Sequence, residues 1–267
     1  MLRLLLLAAA LAAATAMAAP DNPPLPLPKP PQADQAPAAG PPLPAEKPEE
    51  RQEPAAPEPE KKEEPAAPTV PAPPPPPIET EDQATFDACT AELKELGAAF
   101  KLLPRIDDGE GCGIDKPIAM TRLSADVAIE PEATARCETL LQLARMTRDL
   151  IAPAARLGLP DMGRLEVVHQ ASGYVCRKRN SADTGKISEH ARGNAIDIAG
   201  LEFEKGLVPM KIVGQEDSDL AAAFQRALNA AACLYFTTVL SPGSDGTHED
   251  HMHLDVMKRT GGYRYCR

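Results

Sequence analysis

The sequence has no tryptophan and few other aromatic residues, with five Phe and four Tyr among 267 residues. A buried core must therefore be built mainly from Leu, Ile, Val and Ala. Positive charge is also scarce, since 28 Lys and Arg face 39 Asp and Glu. This acidic balance argues against a protein that binds nucleic acid or an anionic membrane surface. No GxSxG sequence is present, which argues against a serine nucleophile of the hydrolase type.

The N-terminal apolar run is too short for a transmembrane helix, which needs about 20 apolar residues. It contains one early Arg3, then Leu and Ala, and it ends in Ala16-Met17-Ala18, a small-residue cleavage pattern. No cysteine follows it to accept a lipid. We predict a signal peptide over residues 1–18 and export into an oxidising compartment, a bacterial periplasm, without a stable membrane anchor.

Residues 19–82 are rich in proline and nearly lack large apolar side chains. Most of the 30 prolines of the chain lie here, among acidic and a few basic residues. Such a segment cannot bury enough apolar surface to offset its conformational entropy. We predict a disordered, acidic linker that acts as a tether. The alternative is a semi-rigid spacer or a ligand for a proline-recognising envelope protein.

The remaining residues, 83–267, are numerous enough for one domain and contain all six cysteines. An even number of cysteines in an exported domain indicates disulfides. A metal–thiolate site is less favoured, because the sequence has no CxxC and the cysteines are scattered. Spacing does not choose among the pairings that six cysteines allow. Our expectation is Cys89–Cys112, Cys137–Cys233 and Cys176–Cys266.

Hydrophobic periodicity predicts an α+β domain, a small antiparallel sheet flanked by helices. Helices are predicted over residues 86–98, over residues 131–157 with Pro131 in the first turn, and after a cap at Asp217 or Ser218. Strands are predicted within residues 112–123, over residues 165–169, and near Ile196, Val208, Val239 and Leu254.

Four of the five histidines lie in two short stretches, residues 188–197 and 248–253. Within them, His190, Asp197 and His253 supply two imidazoles and one carboxylate. This ligand set suits a zinc ion that keeps one coordination position for water. The sequence therefore predicts a zinc site.

The spacing of these residues predicts how they meet. On one helix, His190 and Asp197 would be roughly 10 Å apart, so the chain must turn between them. Gly193 supplies the permissive backbone for that turn. In the strand that follows, Asp197 faces away from Ile196 and Ile198. In a second strand His253 would face the same way, so two neighbouring strands would bring Asp197 and His253 together.

The two stretches carry a resemblance to known families. SxHxxGxAxD followed by HxH resembles the zinc signature of the peptidoglycan peptidases that include D-alanyl-D-alanine dipeptidases and carboxypeptidases. The HxxHxH spacing is closest to the penicillin-insensitive murein endopeptidases. The six cysteines, the Cys-Arg-x-Arg-Asn segment and the Pro-rich lead-in resemble the bacterial extensin-like C-terminal domain family over about residues 85–267.

The peptidase resemblance implies roles for an arginine and a serine. Residues 172–177 are similar to the SGYR element of these peptidases, in which the arginine steadies the substrate carbonyl or the oxyanion. Val175 and Cys176 are inserted before Arg177, so Arg179 is a rival for this role. Ser188 either hydrogen-bonds the substrate or a zinc-bound group, or caps the turn that contains His190.

Two residues compete for the role of general base. Asp250 lies three residues before His253, as an acidic base does in the dipeptidase branch. His251 lies on the ligand face of its strand, as in the endopeptidase branch, and we favour it, with His248 as an auxiliary. Asp255 is predicted to orient a ligand imidazole.

We therefore expect an exported zinc-dependent hydrolase that cleaves the peptide stems or cross-bridges of peptidoglycan with a metal-activated water. The alternative is a non-catalytic, zinc-containing module for cell-wall binding or scaffolding. The hedgehog signalling domains, which resemble this peptidase class, show that such a centre can persist without known enzymatic use. A structural wall protein dominated by the Pro-rich region would leave the metal motif unexplained. The candidate bases and arginines favour the enzyme.

Overall fold

A computed structural model describes residues 76–267 of the chain. The predicted signal peptide and residues 19–75 of the predicted linker lie outside the described residues. Within the described part, no helix is long and apolar enough to cross a membrane. The predicted α+β class is confirmed, because helices and strands form one mixed structure that three disulfides cross-link.

The helices form one layer of the described domain. They are α1 (Gln83–Glu95), α2 (Cys137–Met146), α3 (Ala152–Gly158) and α4 (Leu220–Ala232). A π-helical turn, Thr147–Ile151, joins α2 to α3. Short 3₁₀ turns occur at Pro160–Met162, Arg179–Ser181, His190–Arg192 and Thr260–Gly262.

Strands account for the second layer. They are β1 (Ala99–Leu102), β2 (Ile106–Gly109), β3 (Cys112–Ile114), β4 (Pro117–Arg122), β5 (Ala128–Arg136), β6 (Leu165–Ser172), β7 (Ala195–Phe203), β8 (Gly206–Pro209), β9 (Thr238–Leu240), β10 (Met252–Asp255) and β11 (Tyr265–Cys266).

The main sheet has nine strands in the described domain and is larger than the small sheet predicted. Its order is β1-β4-β5-β6-β7-β10-β9-β11, with β8 also paired to β7. Two of its pairs, β5–β6 and β9–β11, are parallel and the others are antiparallel. The segment from α2 to α3 forms the crossover that a parallel pair such as β5–β6 requires. Strands β2 and β3 form a separate hairpin.

Pro131 was expected in the first turn of a helix, and this prediction is wrong. It lies inside β5, after a cis peptide bond to Glu130, and the helix begins only at Cys137. The pairing of β5 with β6 covers residues 128–130, and the pairing with β4 is irregular between Ala128 and Ala133. A residue without an N–H group is tolerated at such an interruption.

The cap of α4 also differs from the prediction. Asp219, rather than Asp217 or Ser218, caps the helix, because its Oδ1 accepts a hydrogen bond from the Ala222 N–H at 2.7 Å. The carboxylate of Asp217 accepts from the Gly214 N–H at 2.8 Å and so serves the preceding turn.

All three predicted disulfide pairings are wrong. The bonds are Cys89–Cys137, Cys112–Cys176 and Cys233–Cys266. They join α1 to the start of α2, β3 to the segment after β6, and the end of α4 to β11. Which cysteines meet depends on which elements are neighbours in space, and sequence spacing does not contain that information.

The helices pack on one face of the main sheet. The buried residues of this core are drawn mainly from Leu, Ile, Val, Met and Ala, as the composition requires. Those from the helices include Leu93, Leu140, Leu143 and Leu228; those from the strands include Met120, Val168, Ile196, Ile198, Met252 and Leu254. The opposite face of β7 and β10 therefore remains for polar side chains.

Residues 76–82, which the prediction assigns to the linker, contact the domain. Glu79 forms ion pairs with Arg136 at 2.7 Å and with Arg192 at 3.0 Å. Ile78 lies so close to Gly113 that a Cβ there would be 2.5 Å from Ile78 Cδ1. These contacts attach the end of the predicted linker beside the turn that carries His190.

Candidate metal centre

Strands β7 and β10 place Asp197 and His253 side by side. The two strands pair antiparallel with His253 directly opposite Asp197. Ile196 and Ile198 point into the core, so alternation directs Asp197 to the other face, as predicted. Asp197 is 3% exposed and His253 is 9% exposed, so both lie at the bottom of a cavity.

His190 enters the same cavity from the 3₁₀ turn that precedes β7. Gly193 ends this turn in the left-handed conformation, with φ of 68°. A side chain is excluded there as well, because a Cβ would lie 2.4 Å from Ile114 Cδ1. The Gly193 carbonyl accepts hydrogen bonds from the Arg136 N–H at 3.0 Å and from Thr139 Oγ1 at 2.8 Å. The predicted turn at Gly193 is confirmed.

Three potential ligand side chains converge in the cavity. His190 Nε2 lies 3.2 Å from Asp197 Oδ2 and 3.1 Å from His253 Nδ1. His253 Nδ1 lies 2.9 Å from Asp197 Oδ1. Ligands about 2.0–2.1 Å from a tetrahedral zinc ion are separated by about 3.3 Å, so these distances fit such an ion.

The hydrogen bonds behind the two imidazoles fix which nitrogens face the centre. His190 Nδ1 lies 2.8 Å from the Gly173 carbonyl, which can only accept, so this nitrogen carries the proton. His253 Nε2 lies 3.5 Å from Asp255 Oδ2, whereas His253 Nδ1 lies 2.9 Å from Asp197 Oδ1, so a proton on Nδ1 is shared with the closer carboxylate. If a cation took the place of this proton, His253 Nδ1 and His190 Nε2 would each offer it a lone pair beside the Asp197 carboxylate.

Burial and neighbouring charges shift the pKa values in the centre. Burial by itself raises the pKa of Asp197, but His190 and His253 outweigh it and hold that pKa well below the usual range. Burial lowers the pKa of His253, but Asp197 and then Asp255 outweigh it and raise the pKa to about 9. Without a metal, a proton on His253 thus supplies the positive charge that the site needs.

Asp255 has the supporting position that the sequence predicted. Its Oδ1 accepts a hydrogen bond from Thr238 Oγ1 at 2.6 Å and from the Met257 N–H at 3.0 Å. This leaves Oδ2 facing His253. Arg259 Nη2 in turn donates to Thr238 Oγ1 at 2.6 Å. Sequence reasoning missed Thr238 and Arg259, because nothing near them resembles a metal motif.

His251 and Asp250 lie at the rim of the centre. His251 Nε2 is 3.9 Å from Asp197 Oδ2, and His251 Nδ1 is 2.9 Å from Asp250 Oδ1. The side chain of Asp250 is 91% exposed, whereas that of His251 is 19% exposed. The structure therefore brings His251 to the site, with Asp250 behind it.

His248 completes a cluster of histidines. Its ring centroid lies 5.2 Å from that of His251 and 5.6 Å from that of His253. Asp245 Oδ1 holds His248 Nδ1 at 2.7 Å and accepts from Thr247 Oγ1 at 2.7 Å. The hydrogen bonds from Thr247, together with that from His248, keep the pKa of Asp245 well below its usual range. The auxiliary place predicted for His248 is thus close to the ligands, and Asp245 was missed.

Comparison with known proteins shows which family the chain belongs to. Residues 87–267 match the family model described as "Extensin-like protein C-terminus". The chain belongs to this family. No curated protein and no solved structure matches the chain. The comparisons therefore add nothing to the resemblance to zinc peptidases, and the hydrolase function stays a prediction.

In the extensin-like domain, Arg177 and Arg179 line the cavity that contains the candidate metal centre, hereafter the metal cavity. Its volume is about 280 Å³. Arg177 Nη1 donates to Ser181 Oγ at 3.3 Å. Arg179 Nη2 lies 3.3 Å from Glu189 Oε1. The insertion of Val175 and Cys176 thus does not remove either arginine from the cavity.

Ser188 in the extensin-like domain is buried and also lines the cavity. Its Oγ lies 3.4 Å from the His190 N–H, and its carbonyl accepts from the Ala191 N–H at 3.1 Å. The turn has Glu189 at its N-cap and no side-chain cap hydrogen bond, so both predicted roles of Ser188 stay predictions. The SGYR-like element has a further role that sequence reasoning missed, since the Gly173 carbonyl orients His190.

Proposed function

We propose that this extensin-like domain is an exported, zinc-dependent hydrolase of peptidoglycan peptides. The observation that carries the proposal is the convergence of His190 Nε2, Asp197 and His253 Nδ1 on one buried point. Their separations of 2.9–3.2 Å suit a single zinc ion. In the metal-free protein a proton on His253 would serve the Asp197 carboxylate, and a bound zinc ion would take the place of this proton.

These three residues would hold the ion. Zinc bound there would activate a water molecule and polarise a peptide carbonyl. The protein ligands come from two directions, a turn and two paired strands, and leave the cavity side open to a substrate. An open coordination position is typical of catalytic rather than structural zinc sites.

His251 is the general base in this proposal. Asp250 accepts a hydrogen bond from its Nδ1, which places the proton there and leaves a lone pair on Nε2, the nitrogen nearer to Asp197. This nitrogen can accept a proton from the attacking water molecule and pass it to the leaving amine. Asp250 supports the base by orienting it and stabilising its protonated form, as a carboxylate behind a catalytic histidine does.

An arginine at the cavity wall would stabilise the negative charge that develops on the substrate oxygen. Arg177 is the better candidate, because it is bound only to the neutral Ser181 hydroxyl. Arg179 already pairs with Glu189, so using it would first cost that contact. The predicted roles of Arg177 and Arg179 remain proposals on this basis.

Peptidoglycan enters the proposal through the sequence motifs. The motif resemblance implies peptide stems or cross-bridges as substrates, and the disulfides are compatible with an oxidising compartment such as the periplasm. The net charge of −11 argues against a nucleic-acid partner.

The experiment is digestion of isolated peptidoglycan by the purified zinc-loaded protein, with and without a chelator. Wild type should release soluble peptide fragments, and the new chain ends identify the bond. His253→Ala should lose zinc and activity, and His251→Ala should keep zinc and lose activity. His169→Ala is the matched control, because His169 pairs with Glu202 and does not line the cavity. Bound zinc without any release would instead indicate the non-catalytic wall-binding module.

A further inference from the structure

A second cavity, of about 840 Å³, lies beside the metal cavity and concentrates positive charge. Its lining includes five cationic residues and three acidic ones: Arg177, Lys178, Arg179, Lys186 and Arg192, with Glu110, Asp183 and Glu189. The whole chain carries a net charge of −11. A cationic cavity in so acidic a protein is a local feature that favours an anionic ligand.

The loop of residues 176–187, which supplies most of this charge, is held at both ends. A disulfide ties Cys176 to Cys112. Near the other end, the Arg179 N–H donates to the Lys186 carbonyl at 3.0 Å. The loop therefore presents its cationic side chains from a closed backbone, which lowers the entropy cost of binding a ligand.

Two residues at the tip of this loop have strained backbones. Asn180 and Ser181 have φ of 53° and 54°. Two consecutive non-glycine residues in the left-handed region are uncommon, and such strain is concentrated at binding and active sites. Asn180 lines the metal cavity and Ser181 lines the second cavity, so the strained tip lies between the two.

Three of the cations have no carboxylate partner. Arg177 donates to the Ser181 hydroxyl, and Lys178 Nζ donates to the backbone carbonyl of Asp183 at 2.6 Å. Across residues 76–267, no carboxylate forms an ion pair with Arg177, Lys178 or Lys186. Their charge remains available to a ligand.

The two cavities are adjacent and share a wall. Arg177, Arg179 and Glu189 line both. An extended ligand with one group at His190, Asp197 and His253 would therefore place its next groups among the cations of the loop. A peptide chain has the length for this, since each residue spans about 3.3 Å or more when extended.

We infer that the cationic cavity is a subsite that binds free carboxylates of an acidic peptide, and that the loop of residues 176–187 sets this preference. The inference rests on the proposed function for the cleavage of that peptide, but not for its binding. Carboxylates fit better than phosphates because Glu110, Asp183 and Glu189 lie among the cations. Single carboxylates spaced along a peptide can each lie beside a cation and away from these acidic residues. A phosphate polymer with many charges would be repelled by the same residues.

The test measures binding of a fluorescent tetrapeptide with two side-chain carboxylates and of its twin with both converted to carboxamides. The full chain is used in the His251→Ala background, so that turnover does not consume the peptide. Charge is removed by Lys178→Gln with Lys186→Gln. The matched control is Lys94→Gln with Lys205→Gln, two lysines that line neither cavity. Circular dichroism and zinc content check that each variant is folded.

We expect the carboxamide twin and the Lys178/Lys186 variant each to bind roughly five- to tenfold more weakly, as the loss of two partly exposed ion pairs implies. The control variant should bind like its parent, and added salt should weaken only the acidic peptide. Equal affinity for both peptides, or an unchanged Lys178/Lys186 variant, would overturn the inference. So would loss of binding to phosphatidylglycerol vesicles in that variant with peptide binding intact. A carboxylate preference without peptidoglycan hydrolysis would leave the subsite standing and refute the proposed function alone.

Discussion

Zinc binding at the candidate centre should be controlled by one proton on His253. In the metal-free protein the pKa of His253 is raised to about 9, because Asp197 and Asp255 outweigh the effect of burial. At about pH 7.5 more than nine-tenths of the protein then carries this proton. A metal ligand must be deprotonated, so zinc has to displace it. Zinc uptake at this pH should release about one proton from His253.

The apparent zinc affinity should also depend on pH. Between about pH 6.5 and 9, the apparent zinc affinity should rise about tenfold per pH unit, and above this range the rise should end. An imidazole with the ordinary pKa of 6.5 would contribute only about a tenth of a proton at about pH 7.5. Calorimetric titration in buffers of different ionisation enthalpy measures the number of protons released.

Asp255→Asn separates this proton from one lost by a zinc-bound water. The substitution removes the negative charge 3.5 Å from His253 Nε2 and should lower the pKa of His253 by about one unit or more. Proton release at about pH 8.5 should then fall, whereas release from water would not follow this change. A flat affinity profile above pH 6.5 in the wild type would refute the reasoning.

The stability of the chelator-treated protein should show the opposite trend. Because the pKa of His253 is raised on folding, its contribution is fully present below about pH 6.5 and is lost as the pH rises through about 9. The shift corresponds to on the order of 3 kcal/mol. Urea unfolding of metal-free protein at about pH 6 and 9.5 measures this loss, and no decrease over the interval would contradict the raised pKa.

Three further predictions concern the turn at Gly193, the Cys89–Cys137 disulfide and the proposed general base. Gly193→Ala should destabilise the domain by about 2–4 kcal/mol, because the alanine would have both a left-handed φ and a clash with a buried side chain. Gly109→Ala, with a similar φ but open space, should cost only about 1 kcal/mol, so equal urea midpoints for the two would contradict the packing argument. Replacing Cys89 and Cys137 together by Ser should cost about 4 kcal/mol for a loop of 48 residues in urea unfolding, and non-reducing peptide mapping that finds other pairs would refute the connectivity. His251→Ala should keep full zinc content and lose about 10²–10⁴-fold in hydrolysis rate, and activity within threefold of wild type would exclude it as the base.

The side-chain directions of His190, Asp197 and His253 could be predicted because they follow from local rules. Gly193 permits a turn that few other residues could make, and strand alternation then fixes the direction of Asp197 and His253. Core-facing Ile196, Ile198 and their partners in β10 settle which face is polar. The direction of each side chain depends on residues close in sequence, where propensity and periodicity are informative, whereas the pairing of β7 with β10 joins residues 56 positions apart and was an assumption of the prediction.

The parts that could not be predicted depend on contacts between distant segments. The disulfide pairs follow from the packing of α1 on α2, of β3 beside the segment after β6, and of β11 beside α4. Pro131 fits a helix start by local preference, but pairing with β4 and β6 places it in a strand. The Gly173 carbonyl contacts His190 and Thr238 contacts Asp255 because the fold brings distant segments together, and neither residue belongs to a recognisable ligand pattern.

The most direct measurement is the metal content of the protein expressed with its predicted signal peptide and purified without added metal. Elemental analysis of wild type, His253→Ala and the His169→Ala control would be compared at equal protein concentration. We expect close to one zinc per chain in wild type and in His169→Ala, and almost none in His253→Ala. Wild-type protein that stays metal-free even after incubation with zinc, or His253→Ala that retains a full equivalent, would contradict the assignment of His190, Asp197 and His253 as the metal ligands.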